Sequence, residues 1–372
     1  MIQKFKARMF VVDENTIVKT KNNKMVSIVV PKLDGAKWDI TVTDLIADML
    51  QIEIGDYIFL WEMSSNKEKS KIYGVYRAIS KPFYQCSNPN DRMPLKIHIE
   101  VAYDFKEPVE EYDVLNSPYI KHNLWNIVGK KVKGKARGTS PLSMEETRVL
   151  TMLLMEKNPK FKFYPYSGNV VTVNNPLKID YLNFGKNQRP DSLNSFHPNN
   201  LYFFKDEKKN VRSEKVLEAI LNQEMSNRNA EVFSQIGIDV NKVIWYSNYL
   251  PYSIEQSEMD YVIVESEDGR IPSRVYVIEL MTGYLDESHV QRVLLYSKWV
   301  NETLLMKTNI VQPIIICKTS VNFDGEKAPT KVEKLNRLKN IIKPFENNNK
   351  MKPLRVYTYD FTNNEVKFNK KR

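Results

Sequence analysis

The chain has 372 residues, of which 42% are hydrophobic and 11% aromatic, and this composition excludes an intrinsically disordered protein. Its formal charge of +10 favours a polyanionic partner such as nucleic acid, although a basic balance also serves plain solubility. Its two cysteines, Cys86 and Cys317, are too few for a disulfide framework, a four-cysteine zinc site or an iron–sulfur cluster.

The length exceeds the size at which one hydrophobic core usually stops growing, so we expect two domains. The first residues, MIQKFKARMF, lack the apolar stretch of a signal peptide, and no later run reaches the ~18 apolar residues of a membrane helix. We therefore expect a cytoplasmic protein without a membrane partner.

The first part of the chain alternates apolar and polar residues in short runs bounded by Gly, Pro, Asn or Asp. These runs, at 25–30, 57–61, 72–79 and 95–101, predict the strands of a small β-barrel or sandwich. Helical spacing over 43–50 predicts an inserted helix with Thr43 or Asp44 as its N-cap. A second helix is predicted from Ser143 to about residue 157, because Ser143 and Glu146 have the spacing of a capping box.

Residues 158–210 are rich in Asn, Pro and Lys and are predicted to form a connector with short strand-like pieces at 169–173 and 201–204. From residue 213 a helix is followed by strand-like runs at 242–249, 259–266 and 274–280, then by an amphipathic helix near 286–303. A strand at 312–318 and a hairpin at 354–359 and 365–368 complete the pattern, which is typical of an α/β unit. We therefore predict a two-domain α+β and α/β chain, with domains at 1–157 and 211–372.

Two carboxylates border apolar runs in the second half. Asp260 precedes the run YVIV, and Glu279 follows the run VYVI after a polar turn. Two antiparallel strands joined by that turn would bring both carboxylates to one edge of a sheet. Mg²⁺ or Mn²⁺ is held by such carboxylates with a backbone carbonyl, for which Leu280 is the candidate, and with phosphate oxygens. Upstream, Glu214 and Glu218 share a helix face, either as a further ligand or as solvated carboxylates.

The segments MDYVIVES, VYVIELMTG and HVQRVLLYSKWV, within residues 210–320, resemble the RecB-like branch of the PD-(D/E)xK nucleases. The resemblance implies a mixed central sheet of the restriction-endonuclease type. It also implies a Mg²⁺-dependent endodeoxyribonuclease with Asp260 and Glu279 as metal ligands and Glu218 and Tyr296 as further site residues. The family motif has a lysine where this sequence has Met281, and a thioether cannot orient water or stabilise phosphate charge.

Three explanations of Met281 stay open: natural loss of catalysis, a substitution introduced to trap an inactive form, or a lysine supplied from elsewhere, for which Lys298 is the candidate. On the same predicted helix, Arg292 lies four residues before Tyr296 and could contact a phosphate or Glu279. Tyr296 itself serves either the site or the core. His289 is interpreted as a cap-region residue more readily than as a DNA contact.

The first half resembles the EVE domain, a PUA-like barrel, over about residues 5–157. The resemblance rests on GDYIFLW, IYGVY, KPFY, MPLKI and the segment KARGTSPLS. It implies an aromatic pocket that holds a modified base extruded from the strand, with polar groups at the base edge. The candidate residues, some of which alternation would place in the core instead, are Trp38, Trp61, Tyr73, Phe83, Tyr84, Ser80 and Asp39.

The densest cationic run of the chain lies at 130–137 and suits a loop along a phosphate backbone, with a merely solvated loop as the alternative. Its cations are Lys130, Lys131, Lys133, Lys135 and Arg137.

Together the two resemblances imply a modification-dependent restriction endonuclease that acts on double-stranded DNA with a modified base, in defence against foreign DNA. A homodimer would supply the second active site that double-strand cleavage needs. One alternative is a catalytically inactive reader of DNA or RNA. Another is a nuclease for structured nucleic acid that does not read a modified base.

Overall fold

The computed structural model describes thirteen segments of the chain. They are residues 6–29, 36–63, 70–85, 93–117, 139–165, 168–174, 214–252, 257–269, 271–304, 310–323, 328–349, 351–362 and 365–372. The chain divides into two compact units, residues 3–197 and residues 198–372. Together they form a mixed α+β protein, as the sequence predicts.

The N-terminal unit is built on one curled sheet with the strand order β2-β6-β4-β3-β1-β8, to which β5 adds at β6 and β7 at β4. Its strands are β1 Ala7–Val12, β2 Met25–Ile28, β3 Tyr57–Glu62, β4 Lys71–Ala78, β5 Phe83–Tyr84, β6 Leu95–Val101, β7 Val109–Glu110 and β8 Thr139–Leu142. Its helices are α1 Glu14–Asn23, α2 Ala36–Leu50, α3 Glu111–Asn116 and α4 Met144–Lys157. The four strands predicted from alternation are thus confirmed, with small differences at their ends.

Both faces of this sheet are covered, because successive residues of a strand point to opposite sides and both sides are apolar. In β3, Phe59 and Trp61 join one core, whereas Ile58 and Leu60 join the other. Leu150 and other apolar residues of α4 cover the first core, and apolar residues of α1, α2 and β2 cover the second.

Two predicted features of this unit need correction. Helix α2 begins at Ala36, not at Thr43 or Asp44. The prediction placed the start too late because the first half of the helix contains β-branched residues, such as Ile40 and Val42, which have low helix propensity. Part of the predicted connector belongs to the N-terminal unit, since β9 Phe161–Phe163 and β10 Val171–Val173 pair with each other and bury side chains in its first core.

The predicted capping box of α4 is confirmed. The Ser143 hydroxyl oxygen accepts a hydrogen bond from the Glu146 backbone N–H at 3.1 Å, and a Glu146 carboxylate oxygen accepts one from the Ser143 backbone N–H at 2.6 Å. Two of the orphan donors at the start of the helix are thereby satisfied.

The C-terminal unit contains a mixed sheet with the strand order β11-β12-β13-β14-β15-β16. The strands are β11 Val243–Tyr252, β12 Ser257–Glu265, β13 Arg274–Leu280, β14 Val311–Cys317, β15 Arg355–Thr362 and β16 Glu365–Lys370. The helices are α5 Glu214–Ser226, α6 Ala230–Ser234, α7 Glu287–Trp299, which continues into a π-helical turn Val300–Leu304, and α8 Pro329–Asn349.

Strands β11, β12 and β13 are antiparallel, β13, β14 and β15 are parallel, and β16 returns antiparallel to β15. Parallel neighbours need crossover connections, which α7 and α8 provide. Helix α8, which the sequence analysis does not predict, buries Leu335, Leu338 and Ile342 along one face, and it contains Pro344, which cannot donate a backbone hydrogen bond to residue 340. None of the helices in the described segments is long and apolar enough to cross a membrane.

Candidate active site

The carboxylates of Asp260 and Glu279 meet where strands β12 and β13 part. The paired ladder ends at Tyr261 and Ile278, and the next position in register sets Asp260 opposite Glu279. In place of a further ladder bond, an Asp260 oxygen accepts the backbone N–H of Leu280 at 2.8 Å. The antiparallel pairing thus places both carboxylates, with Leu280, at one edge of the sheet.

Glu279 is buried, with 1% of its surface exposed. One carboxylate oxygen forms an ion pair with the Arg292 guanidinium, while Oε2 has no hydrogen-bond partner among the described residues. Burial and, after it, the charge of the nearby Asp260 together raise the pKa of Glu279 to about 9, although Arg292 opposes the rise. The pair therefore resists carrying two negative charges.

Loss of hydration also raises the pKa of Asp260, to about 6, against the Leu280 hydrogen bond and the positive charge of Lys215. The charge of Glu214 raises the pKa of both carboxyls of the pair.

The donor set of this edge fits a hard divalent cation. Within the described segments no three His, Cys, Asp or Glu side chains come together as a metal cluster. Mg²⁺, however, is commonly bound through one or two carboxylates and completes its coordination with water and phosphate oxygens. A bound cation would give a partner to the Oε2 of Glu279, which has none among the described residues. It would also offset the repulsion between the two carboxyls.

Glu218, a further site residue in the sequence prediction, lies on the same helix as Glu214 and Lys215. It is buried on α5, where it forms an ion pair with Lys215 at 3.1 Å and accepts a hydrogen bond from the Asn248 side chain. Glu214, an exposed residue in the first turn of α5, is an acid whose charge acts on both site carboxyls. Lys215 and Asn248 are the residues of this area that the sequence analysis misses. The only sequence signal is the three-residue spacing of Lys215 and Glu218, which places them on one helix face.

Arg292, which pairs with Glu279, and Lys215, whose charge lowers the pKa of Asp260, are cations that act on the pair. Arg292 and Tyr296, four residues apart, share the face of α7 that meets Glu279. Lys298 follows Tyr296 by two positions and so lies about 160° around the helix, on the opposite side. That Lys298 supplies the missing lysine stays a prediction from sequence, and its helical position is not on the face shared by Arg292 and Tyr296.

Met281 is buried, with 3% of its surface exposed, and its backbone N–H donates to the Ile316 carbonyl at 2.9 Å. Its thioether cannot provide the charge of the family's lysine.

Two further residues of α7 are now placed. Tyr296 is buried near Glu279, and burial together with the Glu279 charge raises the pKa of its hydroxyl to about 12. His289 lies in the first turn, where Asp286 caps the helix by accepting the His289 backbone N–H at 3.0 Å, and the His289 ring contacts the same carboxylate at 2.6 Å. The cap-region interpretation of His289 is confirmed.

Two of the aromatic rings predicted to line a base pocket in the N-terminal unit lie on different faces of its sheet. Trp61 is opposite Ile72 in the β3–β4 ladder and lies in the first core, whereas Tyr73 is opposite Leu60 and packs on the second. The two rings therefore lie on opposite faces of the sheet, so Trp61 is a core residue. The Tyr73 hydroxyl donates to a Glu62 carboxylate oxygen at 2.6 Å.

The rings of β5 differ in exposure. Phe83 is buried and stacks on the His98 ring with centroids 4.8 Å apart, while Tyr84 is 61% exposed. The Ser80 hydroxyl oxygen accepts the backbone N–H of His98 at 2.9 Å. Tyr84 is thus the ring of this group with the most surface available to a base.

Several predicted contacts lie outside the described residues. They are the side chains of Trp38 and Asp39, whose backbones lie in α2, and the cations Lys130, Lys131, Lys133, Lys135 and Arg137.

The fold and the site define a mixed α+β protein of two units with a carboxylate pair formed by the half-buried Asp260 and the buried Glu279. No protein-family model and no curated protein matches the chain. Similar solved structures include a hypothetical protein from Leishmania major, with 9% identity and a TM-score of 0.30 over 41% of this chain and 96% of that one. Human THYN1 in complex with 5-methylcytosine-containing DNA has 11% identity and a TM-score of 0.26 over 40% and 96%.

The YTH domain-containing protein mmi1 in complex with RNA has 10% identity and a TM-score of 0.26 over 41% of this chain and 86% of that one. At these values the likenesses define neither a family nor a function.

Proposed function

We propose that the chain is a divalent-metal-dependent nuclease whose N-terminal unit reads a modified base. The observation that carries the nuclease assignment is the pair of Asp260 and the buried Glu279, whose pKa values are both raised and of which Glu279 keeps one oxygen without a partner in the described structure. A structural ion pair would satisfy its buried oxygens, whereas a site for a cation leaves one available.

Asp260, Glu279 and the Leu280 carbonyl would hold Mg²⁺ or Mn²⁺. When bound, the ion supplies an activated water and polarises the scissile phosphate. Arg292, whose side chain is 45% exposed, can turn from Glu279 to a phosphate oxygen. Lys215 acts electrostatically on Asp260 and is 22% exposed, so we assign to it the charge that Met281 lacks.

The reader assignment rests on the resemblance to EVE domains and on Tyr84, which offers an exposed ring beside the buried Phe83. DNA with a modified base is the proposed partner. Cleavage of both strands would require a second copy of the site, for which a homodimer remains the proposal.

The test compares hydrolysis of modified and unmodified duplex DNA with Mg²⁺ or Mn²⁺. We expect Asp260→Asn to abolish hydrolysis and Met281→Lys to raise it. Lys215→Gln should lower the rate by about a hundredfold, as the loss of one group that stabilises developing charge commonly does. Lys298→Gln, at the position proposed from sequence, is the matched lysine variant and should retain activity.

A non-catalytic nucleic-acid binder is the second candidate, favoured by Met281 and by the ion pair between Arg292 and Glu279. If neither the chain as given nor its Met281→Lys variant hydrolyses any duplex while binding persists, the nuclease assignment fails and this candidate replaces it.

A further inference from the structure

A second cationic surface lies in the C-terminal unit, in a groove beside α8 with a volume of about 830 Å³. We call it the basic groove. Four lysines and one arginine line it together with a single acidic side chain: Lys339, Lys343, Lys370, Lys371, Arg372 and Glu346.

The acidic side chain of the basic groove is already neutralised. Glu346 accepts two hydrogen bonds from the Arg372 guanidinium, at 2.8 and 3.1 Å, and a third from the Leu354 backbone N–H at 2.6 Å. None of the four lysines forms an ion pair with an acidic residue in the described segments. Their positive charge is therefore available to a ligand.

The backbone holds these cations in place. The N–H groups of Lys371 and Arg372 both donate to the Val356 carbonyl, at 2.7 and 3.2 Å, which ties the end of β16 to β15. Lys339 and Lys343 are one helical turn apart on α8, a rise of about 6 Å along one flank. Two rows of cations thus face one opening from a helix and from a strand end.

The basic groove is separate from the carboxylate site. The other flank of α8 carries Lys334, which lies over the Tyr284 ring at 3.8 Å, and Arg337, which pairs with Glu287 of α7 at 3.5 Å. Lys339 and Lys343 lie on the flank that faces away from α7.

We propose that the basic groove binds the phosphate backbone of a nucleic acid. Its apolar lining is withdrawn from solvent, since Phe323 is 7% and Ile342 is 2% exposed, so a ligand is held by charge rather than by apolar burial. Exposed ammonium groups with no base-stacking ring are typical of sequence-independent phosphate contacts. The inference rests on the proposed nucleic-acid partner but not on hydrolysis.

The test is the salt dependence of duplex binding by the full chain, measured in EDTA so that hydrolysis plays no part. The variant Lys343→Gln with Lys370→Gln removes one cation from α8 and one from β16. The matched control, Lys331→Gln with Lys367→Gln, removes the same charges from exposed positions of the same two elements outside the groove. Equal melting temperatures would show that both variants are folded.

We expect the groove variant to reduce the slope of log K against log salt by about 2 and the affinity by about tenfold near ~0.1 M salt, while the control retains most of both. An equal loss in both variants would show a general charge effect and overturn the proposal. If pyrophosphate or polyglutamate, added at the same concentration of negative charge as the duplex, displaces it, the basic groove binds anions in general. That result would overturn the nucleic-acid assignment. The nuclease proposal is judged apart from this, by hydrolysis in the Asp260→Asn variant.

Discussion

A carboxylate that is buried beside a second carboxylate can be charged only at a cost in free energy. Glu279 is in this position: burial and Asp260 raise the pKa of its carboxyl, and the single ion pair to Arg292 does not restore it. Asp260 has a smaller rise because the Leu280 N–H hydrogen-bonds to its charged form. At neutral pH, therefore, the metal-free pair retains a proton that metal binding would expel.

Because the folded state retains this proton, the free energy of unfolding of the metal-free protein should depend on pH. The pKa of Glu279 rises from 4.5 to about 9 in the folded chain, so between these values the folded state holds a proton that the unfolded state has released. The free energy of unfolding of the metal-free protein should then fall as pH rises from about 5 to about 9, by up to ~1.4 kcal/mol per pH unit from this group. Glu279→Gln cannot ionise and should flatten the fall.

Urea denaturation in EDTA at several pH values measures this slope. Glu365→Gln, at an exposed position of β16, is the control and should leave the slope unchanged. A Glu279→Gln chain with the parent's slope would show that the pair is already ionised without metal.

At the level of elements, the starts of α4 and α7 agree with the sequence prediction, and at each of them a side chain caps the backbone. Ser143 and Glu146 satisfy each other's N–H groups, so the start of α4 is encoded locally. Helix α4 in turn packs Leu150 and Leu154 onto the first core of the N-terminal unit. The cap therefore supports tertiary packing as well as the helix end.

Ser143→Ala should lower the free energy of unfolding of the N-terminal unit by about 1 kcal/mol, because it leaves the Glu146 N–H without its acceptor. Ser143→Thr retains a hydroxyl acceptor and should retain most of the stability. Urea midpoints of the three chains test this, and equal midpoints for Ser143→Ala and the parent would mean that water replaces the cap.

Local signals of this kind explain which parts of the structure the sequence predicts. Strand alternation and the turn between β12 and β13 were enough to place Asp260 opposite Glu279. The position of Lys215 was not predictable, since it depends on how α5 packs across the sheet. The separation of Trp61 from Tyr73 was missed for a related reason: both faces of β3 are apolar, so alternation does not reveal which core each ring joins.

At the scale of the whole molecule, the exposed ring and the carboxylate pair belong to different units of the chain. Tyr84 lies in the N-terminal unit, whereas Asp260 and Glu279 lie in the C-terminal unit together with the basic groove. Base reading and hydrolysis should therefore be separable by mutation, because each would rest on side chains of a different compact unit.

The Asp260→Asn chain, which on the proposed function should bind DNA without cutting it, is the background for this test. This chain should still prefer a duplex with a modified base over its unmodified match. Adding Tyr84→Ala should remove most of the preference, because base–ring stacking contributes about 1–3 kcal/mol. Tyr112, which is 71% exposed in the same unit, supplies the matched control Tyr112→Ala, which should retain the preference.

Competition binding with the two duplexes measures the preference as a ratio of affinities, which cancels the salt-dependent backbone contribution common to both. If the chain that carries only Asp260→Asn already lacks the preference, base reading would be assigned to the C-terminal unit. A preference that survives Tyr84→Ala unchanged would assign the pocket to other rings of the N-terminal unit, such as Tyr73, whose hydroxyl is held by Glu62 on the face opposite Trp61.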